Sequence, residues 1–246
     1  MHGLSIIIHL FMHSSFVTIS DENPCSDIMD FWHPLSDSQR QLIVDTMEVC
    51  RYKKNDVIYN EFEMPGQMLI LTHGKVKVYK DGVGGRNQII RVIKPIEMFG
   101  YRAYFAGEHY RTSAMAFEPS TVVKIPMETV VQLMSENQHL NMLIIHHLSV
   151  QLGQSDDRTV NLTQKHIRGR LAEALLFLMD SYGVEEDGCT LSIYLSREDL
   201  ASLSNMTTSN AIRTLSAFAS EKLIATDGRK IKIIQFDELL RISKMG

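Results

Sequence analysis

The stretch LSREDLASLSNMTTSNAIRTLSAFASEKLIATDGRKIKII, residues 195–234, constrains the fold more than any other part of the chain. Ser196 is a good helix N-cap, and Asp199 three residues on gives the spacing of a capping box. The first short helix then buries Leu200 and Leu203. Asn205 and Met206 follow at a break, and asparagine tolerates the left-handed backbone that a tight turn requires. Thr207 caps a second helix, TSNAIRTLSAFASEKL, whose apolar face is Ala211, Leu215 and Phe218. A short helix, a three- or four-residue turn and a second helix form a helix-turn-helix. LIATDGRKIKII comes next, and an Asp-Gly turn between apolar strands is a strong hairpin signal.

The polar face of the second helix opens with Thr208, Ser209, Asn210 and Arg213. These are hydrogen-bonding groups rather than a Lys/Glu solubility stripe. In a helix-turn-helix the leading residues of the second helix meet base edges in the major groove. Arginine pairs with guanine in a bidentate way and asparagine with adenine, the roles expected of Arg213 and Asn210. The competing reading is a solvated helix face with a capped start. The hairpin favours the first reading, because Arg229, Lys230 and Lys232 cluster at its tip and second strand and form a wing suited to phosphate contact. Charge adds no support: the chain carries a net −4, and residues 165–246 hold 11 Lys and Arg against 11 Asp and Glu. DNA binding is therefore read from local pattern, with Ser196 and Thr207 included as caps at the interface.

Upstream, LSDSQRQLIVDTMEVC (35–50) predicts a helix with Ser36 or Asp37 near its start. Residues 51–103 then change period to short runs rich in Val, Ile and Tyr, split by PG, HGK, DGVGG and KP, as in a small β-barrel or jelly roll. Val76, Val78 and Ile89 flank a Gly-rich turn at 82–85, and SAMAFEPSTVVKIP adds two strands around EPS. From Met127 the pattern is helical: a short helix, then a long one in which Leu140, Ile144, Leu148 and Leu152 recur every four residues, with Leu143 and Val150 beside them. That stripe either packs on the chain's own barrel or pairs with a second copy; His146, His147 and Gln151 lie near it. A third helix ends on Gly183, with Leu171, Leu175 and Leu178 as its core face.

These elements predict an α+β chain: an N-terminal β-barrel or jelly roll, a long dimerisation helix and a C-terminal winged helix-turn-helix. The expected divisions are 28–135, 136–164 and 165–246. Residues 1–27 are expected to be a disordered extension, or sequence ahead of a later start such as Met12 or Met29. Their apolar run is short, broken by His9 and His13, and has no Lys or Arg before Arg40, so neither a signal peptide nor a membrane span is expected.

The order of barrel, long helix, helix-turn-helix and wing resembles the Crp/Fnr family of bacterial transcription regulators over residues 30–236. The most specific segments are MFGYRAYFAGEHYRTSAMA and LSREDLASLSNMTTSNAIRTLSAFASEKLI. The resemblance implies a cyclic-nucleotide-binding-like barrel, a homodimer, two-fold symmetric duplex DNA sites, RNA polymerase as a partner and a cytoplasmic location. It places Phe99, Gly100, Arg111 and Thr112 in a phosphate-binding cassette, where a Gly-led helix start and an arginine cradle an anion. Tyr101 stands where nucleotide-binding members carry the glutamate that grips the ribose; a phenol cannot clamp two ribose contacts as a carboxylate does. Ser155 and Asp156 match the long-helix positions that meet the base, and only the first keeps a hydroxyl. The effector is left open between a cyclic nucleotide, another ligand and none. In the recognition helix Thr208 and Ser209 replace the arginine and glutamate of well-known members while Arg213 is kept, so the half-site should differ from TGTGA.

Haem would need an axial ligand such as His33, His73, His109 or His147, although isolated histidines are more often surface or core residues. Iron–sulfur chemistry would need a cysteine cluster, and Cys25, Cys50 and Cys189 are far apart. The chain contains no HExxH, Walker A or GxSxG, so no catalytic residue and no metal site are expected. A ligand-binding module acting through protein partners would explain the barrel but leave the winged unit without a role. The mechanism expected is that a signal near Gly100, Arg111 and the long helix sets two recognition helices one DNA turn apart, through a hinge at 164–169.

Overall fold

The computed structural model describes residues 31–82 and 87–245. The extension expected over 1–27, with Met12, Met29 and Cys25, and most of the 82–85 turn lie outside the described residues. The chain clusters into two compact units, residues 1–78 with 91–149, and residues 79–90 with 150–246.

The first unit opens on α1 (Asp37–Thr46), capped by Ser36, whose side chain accepts the Gln39 N–H while Gln39 returns a bond to the Ser36 N–H. The helix stops short of Cys50, which lies in β1 (Glu48–Tyr52). Eight strands then form two four-stranded sheets, ordered β1-β8-β3-β6 and β2-β7-β4-β5. They are β2 (Val57–Tyr59), β3 (Gln67–His73), β4 (Val76–Asp81), β5 (Asn87–Ile93), β6 (Met98–Phe99), β7 (Ser113–Ala116) and β8 (Ser120–Pro126). The arrangement is jelly-roll-like rather than a closed barrel.

Strand β3 is buried on both faces, so its residues 68–71 form a continuous apolar run. Its Leu69 and Leu71 enter the core between the sheets with Tyr59, Val76, Ile93, Phe99 and Val122. Met68 and Ile70 face the other way, onto Ile43 of α1, Val130 and Leu133 of α3 (Met127–Glu136) and Leu140 and Ile144 of α4 (Gln138–Gln164). The long-helix stripe therefore divides. Leu140 and Ile144 are buried in the chain's own core, with Leu143 and Leu148 packed beside them. Leu152, in contrast, is 65% exposed. Met142 and Ile145 are exposed as well, and with Ser149 they make the outward stripe at three- and four-residue steps.

The second unit holds α5 (Ile167–Tyr182), α6 (Arg197–Leu203), α7 (Thr208–Ser220), β9 (Ile224–Asp227), β10 (Lys230–Ile233) and α8 (Phe236–Met245). Leu171, Leu175, Leu178, Leu200, Leu203, Leu215, Phe218, Ile231 and Leu239 are buried. Helix α8 packs along α5; the hairpin signal gave no notice of it, although Phe236, Leu239 and Leu240 have helical spacing. The chain breaks between α4 and α5 at Lys165 and His166, so Gly169, expected in a hinge, is inside a helix and buried.

The 79–90 stretch belongs to this unit through hydrogen bonds to its edge strand. Ser202 donates to the Asn87 carbonyl and accepts the Ile89 N–H at 2.7 Å. The Arg158 guanidinium donates to the carbonyls of Ile89, Ile90 and Leu203. An arginine can satisfy several unpaired edge carbonyls because its donors are fixed in one plane.

Gly74 has φ +87, and a Cβ there would lie 2.3 Å from Ser120 Oγ and 2.6 Å from the Pro119 carbonyl oxygen. Gly107 also has a positive φ, +66, but open space around it. Gly74→Ala should lower unfolding free energy by roughly 2–5 kcal/mol, combining backbone and overpacking costs. Gly107→Ala should cost about 1–2 kcal/mol, the backbone part alone; denaturant titration of both variants checks the difference.

Candidate nucleic-acid interface and sensor site

The helix-turn-helix is held by caps at both of its helices. Ser196 accepts the Asp199 N–H at 3.0 Å and donates to the Asp199 carboxylate at 2.7 Å. Asn205 takes φ +50, the left-handed conformation expected at the break. Met206 N–H then bonds the Ala201 carbonyl at 3.0 Å, and Thr207 accepts the Asn210 N–H at 3.2 Å to start α7. Ala211, Thr214, Leu215 and Phe218 face inward. Thr208, Ser209, Ile212, Arg213 and Ser216 are exposed on one contiguous face.

Two assigned side chains on this face interact. Arg213 Nη2 donates to Asn210 Oδ1 at 3.3 Å. The contact orients the guanidinium, and a bidentate Asn210–adenine pair would compete with it for Oδ1. Helix α7 is anchored from behind by Arg168, which grips Glu221 with two bonds of 2.8 and 2.6 Å and lies 4.9 Å over the Phe218 ring. Sequence reasoning missed Arg197. It follows the Ser196 cap, donates to the Gly228 carbonyl in the wing turn at 2.8 Å, and has a buried Nη1 without a hydrogen-bond partner. Its place directly after a helix cap at the interface was the available signal.

The wing is a two-residue hairpin with Asp227 opposite Lys230 and φ +54 at Gly228. Its three cations are not equivalent. Lys230 Nζ lies 3.2 Å from Glu185 and 5.3 Å over Tyr194, and Lys232 Nζ lies 3.2 Å from Asp187. Arg229 is exposed, and among the described residues no hydrogen bond or ion pair engages it. Of the three cations expected to face phosphate, Arg229 is free and the two lysines are paired to the α5–α6 loop. Asp187 organises that loop. The Thr190 hydroxyl, the N–H groups of Thr190 and Cys189 and the Lys232 ammonium hold its carboxyl well below the usual carboxylate range.

In the first unit, Gly100 has φ +83 and precedes the one-turn helix α2 (Arg102–Phe105). A Cβ on Gly100 would meet Leu69 at 3.0 Å and the Tyr110 hydroxyl at 3.4 Å. Arg111 is exposed, with its Nε 2.7 Å from Glu108, and Glu108 also takes Arg102 at 2.8 Å. The two guanidiniums, Arg102 first, hold the Glu108 carboxyl below its ordinary value. Thr112 is near Tyr59, whose phenol is pushed up by burial and which stacks on Tyr110 at 4.0 Å. Tyr101 is fully buried, and its hydroxyl hydrogen-bonds Nδ1 of His147, with the two rings stacked at 5.9 Å. Ser155 and Asp156 are exposed on α4 in the second unit. His33, His73 and His109 are exposed, and among the described residues no group of three metal-ligating side chains assembles.

Two family models match the chain. A cyclic nucleotide-binding domain model covers residues 49–137, and a Crp-like helix-turn-helix domain model covers residues 169–242. The chain belongs to the Crp/Fnr family. Family relatives include a global nitrogen regulator of Nostoc sp., 25% identical over 74% of this chain and 83% of that protein. A CRP-like cAMP-activated global transcriptional regulator of Mycobacterium tuberculosis is 22% identical over 77% of this chain and 85% of its own length. Among solved structures, FixK2 from Bradyrhizobium japonicum superposes with a TM-score of 0.73 at 21% identity, covering 80% of this chain and 97% of that one. The Crp/Fnr assignment makes the chain a DNA-binding transcription regulator whose helix-turn-helix lies in the second unit. No helix among the described residues is long and apolar enough to cross a membrane.

Because the Asp187 pKa is depressed in the folded state, its contribution is present above the ordinary aspartate value of about 4 and is lost as pH falls through and below it. Asp187→Ala should therefore lower the melting temperature at pH 7. The gap from the native chain should shrink as the pH is taken below about 4, which melting curves across pH would follow.

Proposed function

We propose that the chain acts as a homodimer that reads a two-fold symmetric duplex with α7 and is set by a signal received in its N-terminal sheets. The observation that carries this reading is the exposed face of α7. Thr208, Ser209 and Arg213 project from a helix start fixed by Thr207, while Ser196 caps the preceding helix and Asn210 accepts a hydrogen bond from the arginine. In this reading Arg213 pairs with a base, the cap residues and Thr208–Ser209 follow the groove, and Arg229 contacts phosphate beside Lys230. The divisions assigned are 28–135 for sensing, 136–164 for pairing and 165–246 for DNA.

Pairing is supported by the outward stripe of α4. Met142, Ile145 and Leu152 give water large apolar surface at heptad-like spacing. Two such stripes facing each other remove that surface from water.

For the signal, Gly100, Tyr101, Arg111 and Thr112 are assigned as the responsive segment, with Ser155 and Asp156 as responsive positions on α4. Tyr101 supplies no ribose-clamping carboxylate, and its hydroxyl is engaged by His147. Arg111 would have to leave Glu108 to take an anion. Both facts favour a ligand other than a cyclic nucleotide. RNA polymerase as partner and a cytoplasmic location complete the proposal.

The test is selection of bound duplexes from a random pool by the full chain, with and without a small-molecule cell extract, followed by binding at several salt concentrations. A symmetric consensus and a steep salt dependence are expected; enrichment of no sequence would refute DNA reading. Arg213→Ala should weaken binding to the selected site by about 1–3 kcal/mol and relax one base position, with little change on random duplex. Ile145→Glu combined with Leu152→Glu should convert the chain to a monomer by light scattering and abolish binding to the symmetric site, with circular dichroism unchanged.

A further inference from the structure

Ile212 is the one large apolar side chain on the exposed face of α7, and it is 48% exposed. A single exposed isoleucine on a protein surface means little by itself. This one is placed where function acts. Thr208 and Ser216 lie one turn to either side, and Ser209 and Arg213 flank it. The Ser216 hydroxyl is turned back onto the Ile212 carbonyl at 3.0 Å. Ile212 therefore stands as the forward contact between the cap residues and the back of the helix.

Ile212 is not buried with the core-facing residues of its helix. A β-branched residue is a poorer helix former than alanine, lysine or glutamate, which an exposed helix position would ordinarily favour. Ile212 keeps close to half of its surface in water, whereas Ala211, Leu215 and Phe218 are buried. Duplex DNA does offer a match. The thymine 5-methyl is the apolar group displayed among the donors and acceptors of the major-groove edges.

We propose that Ile212 reads a thymine methyl in each half-site, close to the base pair read by Arg213. This rests on the DNA-reading function proposed above and adds a specificity element to it. The pair would divide the work by chemistry. The guanidinium takes hydrogen-bond acceptors, and the isoleucine accepts a methyl while leaving the polar edge of cytosine unsatisfied.

The experiment replaces each thymine of the selected site in turn by deoxyuridine, which lacks only the methyl. Affinity of the full chain is read by fluorescence anisotropy under the conditions of the selection. At one thymine per half-site the native chain should lose about fourfold, the loss expected for one methyl left uncovered. Ile212→Ser should bind thymine and uracil versions equally, and Ile212→Val should keep the preference. Unchanged melting curves establish that both variants fold. A native chain indifferent to uracil at every position, or Ile212→Ser retaining the preference, overturns the assignment while leaving DNA reading intact. A selection that enriches nothing removes the DNA reading, and this inference with it.

Discussion

The turn between α6 and α7 is the constraint on which the reading surface depends. Asn205 must enter the left-handed region, Met206 must return its N–H to Ala201, and Thr207 must cap the start of α7. Only then do Ala211, Leu215 and Phe218 meet the core together and turn Thr208, Ser209, Ile212 and Arg213 outward. A different angle between the two helices would bury some of those polar groups without partners, which is expensive in an apolar interior. The polar face is thus a consequence of backbone geometry at three residues as much as of its own composition.

The wing illustrates how charge is allocated. Three basic residues in close succession look interchangeable in sequence. In the folded unit, Glu185 and Asp187 on the preceding loop take Lys230 and Lys232 and fasten the hairpin to the body of the domain. Surface ion pairs of this kind contribute little stability each. They do fix where the strands lie, and they leave the Arg229 side chain exposed at the turn.

In the sensor sheets the family frame is kept while its chemistry changes. Gly100 keeps the positive φ that the chain needs between β6 and α2. Tyr101 has been drawn into the core and joined to His147 on the long helix, which couples the cassette to α4 directly. Arg111 is balanced by Glu108, itself shared with Arg102. In this arrangement the Tyr101 hydroxyl is taken by His147 and the Arg111 guanidinium by Glu108.

Much of this was legible in the residues alone. The short Val-, Ile- and Tyr-rich runs of the sheets, the caps at Ser36, Ser196 and Thr207, the left-handed Asn205 and the Asp-Gly hairpin are local signals, carried by neighbours within a few residues. The sequence by itself therefore determined the order of elements, the helix starts and the buried face of α7. Tertiary structure decided which of two apolar stripes on α4 turns inward, because Leu140 and Ile144 meet Met68 and Ile70 on strand β3, far away in the chain. It also decided which wing cations remain free, what Tyr101 touches, and that α8 packs against α5. Each of these depends on partners distant in sequence, and periodicity along one segment carries no information about what a remote segment will place against it.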